Sequence, residues 1–188
     1  MKVISLHKNY GTLIKRARRG QRKAQHQLFE LFAPKMKSVC RQYITCESIA
    51  EEVMLEGFFK VFTNLDAFKG EGSFEGWIRR IMINTSLSHL RKKKKLQFTS
   101  DSVLENSKDH VAMIECDFEV EAIQRCIDTL PEGYKTVFIL YAVEGYKHSE
   151  IAEMLQISES TSKSQLHKAR KALQQQVNQE NKTHYGSQ

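Results

Sequence analysis

The 188-residue sequence has only two prolines and nine glycines, too few breakers to cut it into short strands and turns. Alternating runs of β-branched residues are almost absent, which excludes half-buried strands as the main element. No apolar run reaches the roughly 18 residues that a bilayer-spanning helix needs, and no secretory signal opens the chain. A soluble, cytoplasmic protein is therefore expected. Its four cysteines (Cys40, Cys46, Cys116, Cys126) form no CxxC pair and read as buried reduced thiols. The seven histidines (His7, His26, His89, His110, His148, His167, His184) are scattered away from metal-ligand spacing. Neither a metal site, nor a cofactor, nor a catalytic dyad is expected.

What remains are long stretches of 3.6-residue periodicity, and the fold class they predict is all-α. Basic residues outnumber acidic ones, 29 Lys and Arg against 22 Asp and Glu, for a formal charge of +7. Such a balance favours an anionic partner such as a phosphate backbone without proving one. Charge also divides the chain. Seven acids and a single lysine occupy 97–121, with Ser and Thr at the start, a composition that suits a solvated linker. The expected organisation is a basic N-terminal extension at 1–23, a helical domain at 24–95, a flexible acidic linker at 96–117, a second helical domain at 118–175 and a polar tail at 176–188.

In the first domain, Ala24, Leu28, Leu31, Phe32, Met36, Val39, Cys40 and Tyr43 recur at three- and four-residue steps, an amphipathic helix that Pro34 is expected to kink or split. A second helix is expected from about Ser48 to Leu65, with Glu51, Glu52, Glu56 and Lys60 opposite its apolar face. Gly57 inside it costs about 1 kcal/mol relative to Ala, which implies either close packing or a tolerated defect. A glycine-rich loop runs from Phe68 to Gly76. It joins helix to helix and carries no GK[ST], so it is no phosphate cradle but an aromatic-bearing surface loop. The third helix, from Trp77 to about Lys95, gathers Arg79, Arg80, Arg91, Lys92, Lys93, Lys94 and Lys95 with no acid between them. Seven like charges repel one another, so an anionic partner is expected.

The second domain reads as a helix-turn-helix. Pro131 opens a helix, Gly145 suits a left-handed C-cap, a short helix spans about Ser149 to Leu155, Gln156 and Ile157 turn, and Ser158 caps a longer helix. Ser160, Thr161, Lys163, Ser164 and Gln165 near its start are placed to reach base edges or phosphates. His167, Lys168, Arg170 and Lys171 lie further along, against the backbone. Two residues are unusual for the motif: Lys147 stands where a Ser or Thr cap suits the first helix, and Gln156 stands where Gly best tolerates the turn.

In order and spacing, these segments together resemble a bacterial RNA polymerase sigma factor of the extracytoplasmic-function type over about 24–95 and 121–175. Ala50-Glu51-Glu52-Val53-Met54-Leu55-Glu56-Gly57-Phe58-Phe59-Lys60-Val61-Phe62 is similar to the family helix that binds the clamp helices of the polymerase largest subunit. Leu55 and Gly57 depart from the family pattern there, as Ser88 does further on. Phe74-Glu75-Gly76-Trp77-Ile78-Arg79-Arg80-Ile81, with Asn84 and Leu90-Arg91-Lys92, is similar to the segment that melts and reads the minus-10 element. Leu130-Pro131-Glu132, Glu150-Ile151-Ala152 and 161–170 resemble the minus-35 reader. The resemblance implies polymerase contacts at Glu51, Glu52, Leu55, Glu56 and Phe59. It implies minus-10 contacts at Phe68, Lys69, Ser73, Phe74, Trp77, Arg79, Arg80, Asn84, Arg91 and Lys92, with Phe68, Phe74 and Trp77 offering stacking surface, although Trp77 also fits a core position. The partners it implies are core RNA polymerase, through clamp helices and flap, promoter DNA, and an anti-sigma factor. A regulator that binds a palindromic operator without polymerase, and a mimic that titrates an inhibitor, stay open as other readings of the same residues.

Overall fold

The computed structural model describes residues 10–99 and 118–185, with side chains over 10–93 and 123–176. Every regular element among them is helical. The chain divides into two units, Met1–Leu104 and Glu105–Gln188. The acidic segment expected to be a linker lies, from residue 100 to 117, outside the described residues.

In the first unit, α1 (Gly11–Arg18), α2 (Arg22–Tyr43), α3 (Glu47–Thr63) and α4 (Phe74–Thr99) pack on one another, with a 3-10 turn at Leu65–Ala67. The core follows the periodicity that the sequence shows: Leu28, Phe32, Met36 and Val39 on α2, Val53, Phe58 and Val61 on α3, Ile78, Met82 and Ile83 on α4. α2 runs unbroken through Pro34, whose ring is exposed, so the expected split does not occur. A proline on the solvent side removes one hydrogen bond, and the buried stripes on either side still lie on the same partners. The basic extension expected over 1–23 also needs correcting. Ile14 and Ala17 are buried, making α1 part of the unit. α4 starts three residues before Trp77 because Ser73 caps it, accepting the Gly76 N–H at 3.3 Å and, at its carbonyl, the Trp77 N–H at 3.0 Å. Gly57 is explained by close packing: a Cβ there would lie 2.3 Å from Met82 Sδ on α4.

In the second unit, α5 (Phe118–Asp128) and α6 (Glu132–Phe138) lead through a π-helical turn (Ile139–Val143) to α7 (His148–Leu155) and α8 (Glu159–Tyr185). The wider turn brings the adjacent Ile139 and Leu140 both into the core, which Val137, Ile151, Leu166 and Ala169 complete. α8 continues through residues expected to form a polar tail after 175. The ammonium of Lys135 lies 2.5 Å from the Asp128 carboxylate in this interior and ties α6 to α5.

Candidate nucleic-acid interface

The helix-turn-helix forms by a local solution at each unusual residue. Lys147 has no capping hydroxyl, but its backbone N–H donates to the Glu150 carboxylate at 2.8 Å. Gln156 adopts φ 56° in the left-handed region, strained for a side chain but tolerable at a helix end. Ser158 accepts the Thr161 N–H at 3.0 Å, starting α8 where expected. A contact not foreseen from the sequence links the two helices: His148 Nδ1 lies 2.9 Å from the hydroxyl of fully buried Ser162, and the His148 ring stacks on Tyr141 at 4.6 Å. No periodic signal marks His148, since a histidine at the start of a short helix looks like any solvated one.

Burial of Ser162, Leu166 and Ala169 fixes which side of α8 faces out. At 100° per residue, Ser160, Ser164 and Lys171 point most directly away from it, with His167 and Lys168 about 50° to either side and Lys163 on the flank, and all six are exposed. Lys163 is paired with Glu159 at 2.8 Å. The remaining candidates turn sideways. The Gln165 amide lies 3.4–3.6 Å from where a Gly133 Cβ would sit, so this expected base reader is half-buried against α6. Thr161 is half-buried on that same side. Lys168 lies over the Tyr134 ring at 5.8 Å and Arg170 over the Tyr141 ring at 5.6 Å, which holds both cations at the margins of the exposed face.

In the first unit, Ser73, Trp77, Arg80, Asn84 and Arg91 fall within about 80° of one another around α4, forming one polar stripe along the helix. Ser88, half-buried, belongs to the same stripe and was not among the expected contacts, although its place four residues after Asn84 was the available signal. Arg79 is half-buried and lies about 140° round α4 from the centre of the stripe, on the side of buried Ile83 and Ser86. Lys92 lies on the α3 side, where it and His89 join Lys60 in holding the Glu56 carboxyl below its ordinary value; the largest contribution is the Lys60 hydrogen bond, at 2.7 Å. Part of the basic run is thus offset by α3. The stripe continues into the loop, where exposed Lys69 is followed by Gly70 and Gly72 at φ +84° and +83°, a conformation that side chains rarely adopt.

Phe74 corrects the expected stacking set. Only 6% exposed, it meets Phe32 at 5.7 Å, Phe68 at 5.0 Å and Trp77 at 5.8 Å, so it offers no surface to a base. It is instead the floor on which the half-buried rings of Phe68 and Trp77 rest, themselves 5.6 Å apart. On α3, Glu52, Leu55, Glu56 and Phe59 share one outward face. Leu55 is 49% exposed and Phe59 70% exposed, an unusual position for a phenylalanine. Glu51 lies at the flank, 3.2 Å from Lys37, which also meets Glu47 at 2.8 Å.

Family models for sigma-70 region 2 and sigma-70 region 4 match residues 28–96 and 120–173 respectively. The chain belongs to the sigma-70 family, in its extracytoplasmic-function class. Among curated relatives, the ECF RNA polymerase sigma factor SigW of Bacillus subtilis is 28% identical over 181 residues, covering 87% of this chain and 94% of that protein. The RNA polymerase sigma-H factor of Pseudomonas aeruginosa is 28% identical over 174 residues, covering 86% and 90%. Among solved structures, the sigma factor RpoE of Bartonella quintana, crystallised with the anti-sigma factor NepR, aligns with a TM-score of 0.58 at 20% identity over 81% of this chain and 96% of that one. The fold is thus shared with this sigma factor. Like the family, the chain binds RNA polymerase and directs promoter-specific initiation of transcription. The model for region 2 begins at residue 28, so α1 lies ahead of it. No described helix is long and apolar enough to cross a membrane.

Proposed function

We propose that three separate surfaces divide this work. The α3 face formed by Glu52, Leu55, Glu56 and Phe59, with Glu51 at its flank, docks on the clamp helices of the polymerase largest subunit. Covering an exposed phenylalanine contributes about 2 kcal/mol, and the surrounding carboxylates set register against a basic partner. The α4 stripe and the loop at 68–73 take the minus-10 element. Arg80 and Arg91 meet phosphates, Asn84 and Ser73 offer hydrogen bonds, and the free faces of Trp77 and Phe68 receive an unstacked base, where stacking is worth about 1–3 kcal/mol. The outward face of α8 enters the major groove at the minus-35 element, and the unit carrying it also meets the polymerase flap. Polymerase supplies the phosphodiester chemistry, and this chain acts in the cytoplasm by binding alone. An anti-sigma factor is a further partner, competing for the same exposed surfaces.

The observation that carries this reading is the α4 stripe: cations, an amide, hydroxyls and an indole face aligned on one helix beside a loop with two left-handed glycines, which suits a splayed strand better than a closed duplex. Run-off transcription with purified core polymerase tests it. Promoter-specific product is expected only when both chain and core are present, with weak DNA binding by the chain alone. Equally tight and selective binding by the free chain would instead mark an operator-binding regulator, and core binding without transcription an inhibitor-titrating mimic.

A further inference from the structure

One side chain of α1 reaches the start of the loop. Arg18 is the last residue of α1, a helix anchored by buried Ile14 and Ala17. Its Nη2 donates to the carbonyls of Leu65 at 3.0 Å and Phe68 at 2.7 Å, while Nε lies 3.2 Å from Asp66 Oδ1. Three acceptors within one turn of chain therefore converge on a single planar guanidinium. That is a fork geometry which the point charge of lysine does not reproduce. The Arg18 and Asp66 side chains are 36% and 88% exposed, so solvent screens the ion pair and the two carbonyl bonds carry most of the constraint.

These carbonyls bracket the 3-10 turn, in which the Phe68 N–H also donates to the Leu65 carbonyl at 3.2 Å. The 3-10 turn ends at Ala67, Phe68 is extended, and two left-handed glycines follow before Ser73 starts α4. The far end of the loop is fixed by the Ser73 cap and by the ion pair between Lys35 and Glu75. The near end is fixed by Arg18 and by the Phe68 ring against Phe74 and Trp77.

We propose that Arg18 is a positioning residue for this loop: by binding the carbonyls of Leu65 and Phe68, it keeps the Phe68 ring on Trp77 and presents 69–73 in one arrangement. The consequence for promoters rests on the loop being the minus-10 reader, whereas the positioning itself does not. Arg18 touches no base in this role. It acts through Phe68, and a loop released from it also samples arrangements that accept the strand without fitting the preferred base, so discrimination falls.

Trp77 is the single tryptophan of the chain and packs on Phe68, so its quenching by acrylamide reports loop position in the full-length protein. Arg18→Ala and Phe68→Ala are each expected to raise quenching about twofold, with helical content unchanged, because a loop end that loses its bonds opens locally without global unfolding. Arg18→Lys is expected to recover only part of the wild-type value, and Asp66→Asn nearly all of it. In run-off transcription with holoenzyme, Arg18→Ala should reduce discrimination among minus-10 variants about tenfold, within the range of residues that act on a site without touching its ligand. Wild-type quenching in Arg18→Ala would overturn the proposal. Raised quenching with activity lowered equally at every minus-10 variant would uphold the positioning and overturn the minus-10 reading of the loop. If Arg18→Ala does not fold, Arg18→Lys carries the same test, since it keeps the charge and the stem but not the fork.

Discussion

Replacing Lys135 by methionine removes a cation from the interior of the second unit while keeping most of its volume. The Lys135 and Asp128 side chains are 5% and 13% exposed, their charged atoms 2.5 Å apart, and Gln124 Nε2 donates to the same carboxylate oxygen at 3.1 Å. Without the ammonium, the carboxylate stays desolvated and loses its principal compensation. Removing one partner of a buried pair costs about 3–5 kcal/mol. A domain of this size has a total stability of about 3–10 kcal/mol, so the single substitution takes a large fraction of it. The damage should reach the DNA-binding face, because α6 supports α8 through Gly133 against Gln165 and Tyr134 beneath Lys168. Lys135→Met with Asp128→Leu should recover to within about 1 kcal/mol of wild type, since an apolar pair of similar volume avoids the desolvation penalty. Urea unfolding followed by two probes separates the units: ellipticity reports both, whereas emission of the single tryptophan reports only the first. In Lys135→Met the Trp77 transition should stay where it is, while part of the ellipticity is lost at lower urea. A single substitution costing under about 1 kcal/mol, or a double variant less stable than the single, would refute the claim that this pair holds α5 to α6.

Gly57→Ala should gain about 1 kcal/mol of helix propensity but overpack against fully buried Met82 by about 1–3 kcal/mol, for a net loss that Met82→Ala in the same chain partly relieves; additive losses in thermal melts would contradict this. Charge reversal at Glu52 and Glu56 should abolish co-purification with core polymerase while leaving the melting curve intact, and unchanged co-purification would remove α3 from the interface. Hydrogen bonds from Lys37 and Lys163 hold the Glu47 and Glu159 carboxyls below their ordinary value. A carboxyl lowered on folding contributes stability that is complete above its unfolded pKa and is lost as pH falls through the folded one. NMR titration of Lys37→Ala should therefore show Glu47 returning upward; an unmoved Glu47 would mean the pair does not persist in solution. On α8, Lys163→Ala and Ser164→Ala should shift minus-35 base preference, whereas Lys171→Ala should weaken all sequences and lower the salt slope of binding by about one. Equal losses from all three across a salt series would leave sequence reading to another element.

The helices, their apolar stripes and the helix-turn-helix were legible in the sequence because each is written in local spacing: Leu28, Phe32 and Met36 face one way whatever they face. What local spacing does not carry is the identity of the third body. Phe74 reads as a loop aromatic until Phe32, Phe68 and Trp77 surround it, and Gly57 reads as a defect until Met82 arrives from α4. Pro34 reads as a break because propensity is summed along one helix, while the decision to continue is made by burial on both sides of it. Gln165 shows where the same limit affects a functional residue. Its distance from the start of α8 suits a base reader, but it lies about 60° from the buried Ser162 direction, on the side where Gly133 has no side chain to fill the gap. A glycine on one helix thus changes what a glutamine on another can reach. Gln165→Ala should accordingly loosen the contact between α6 and α8 and lower the stability of the second unit. A shift in minus-35 preference with unchanged stability would mean that the amide swings out to the groove when DNA arrives.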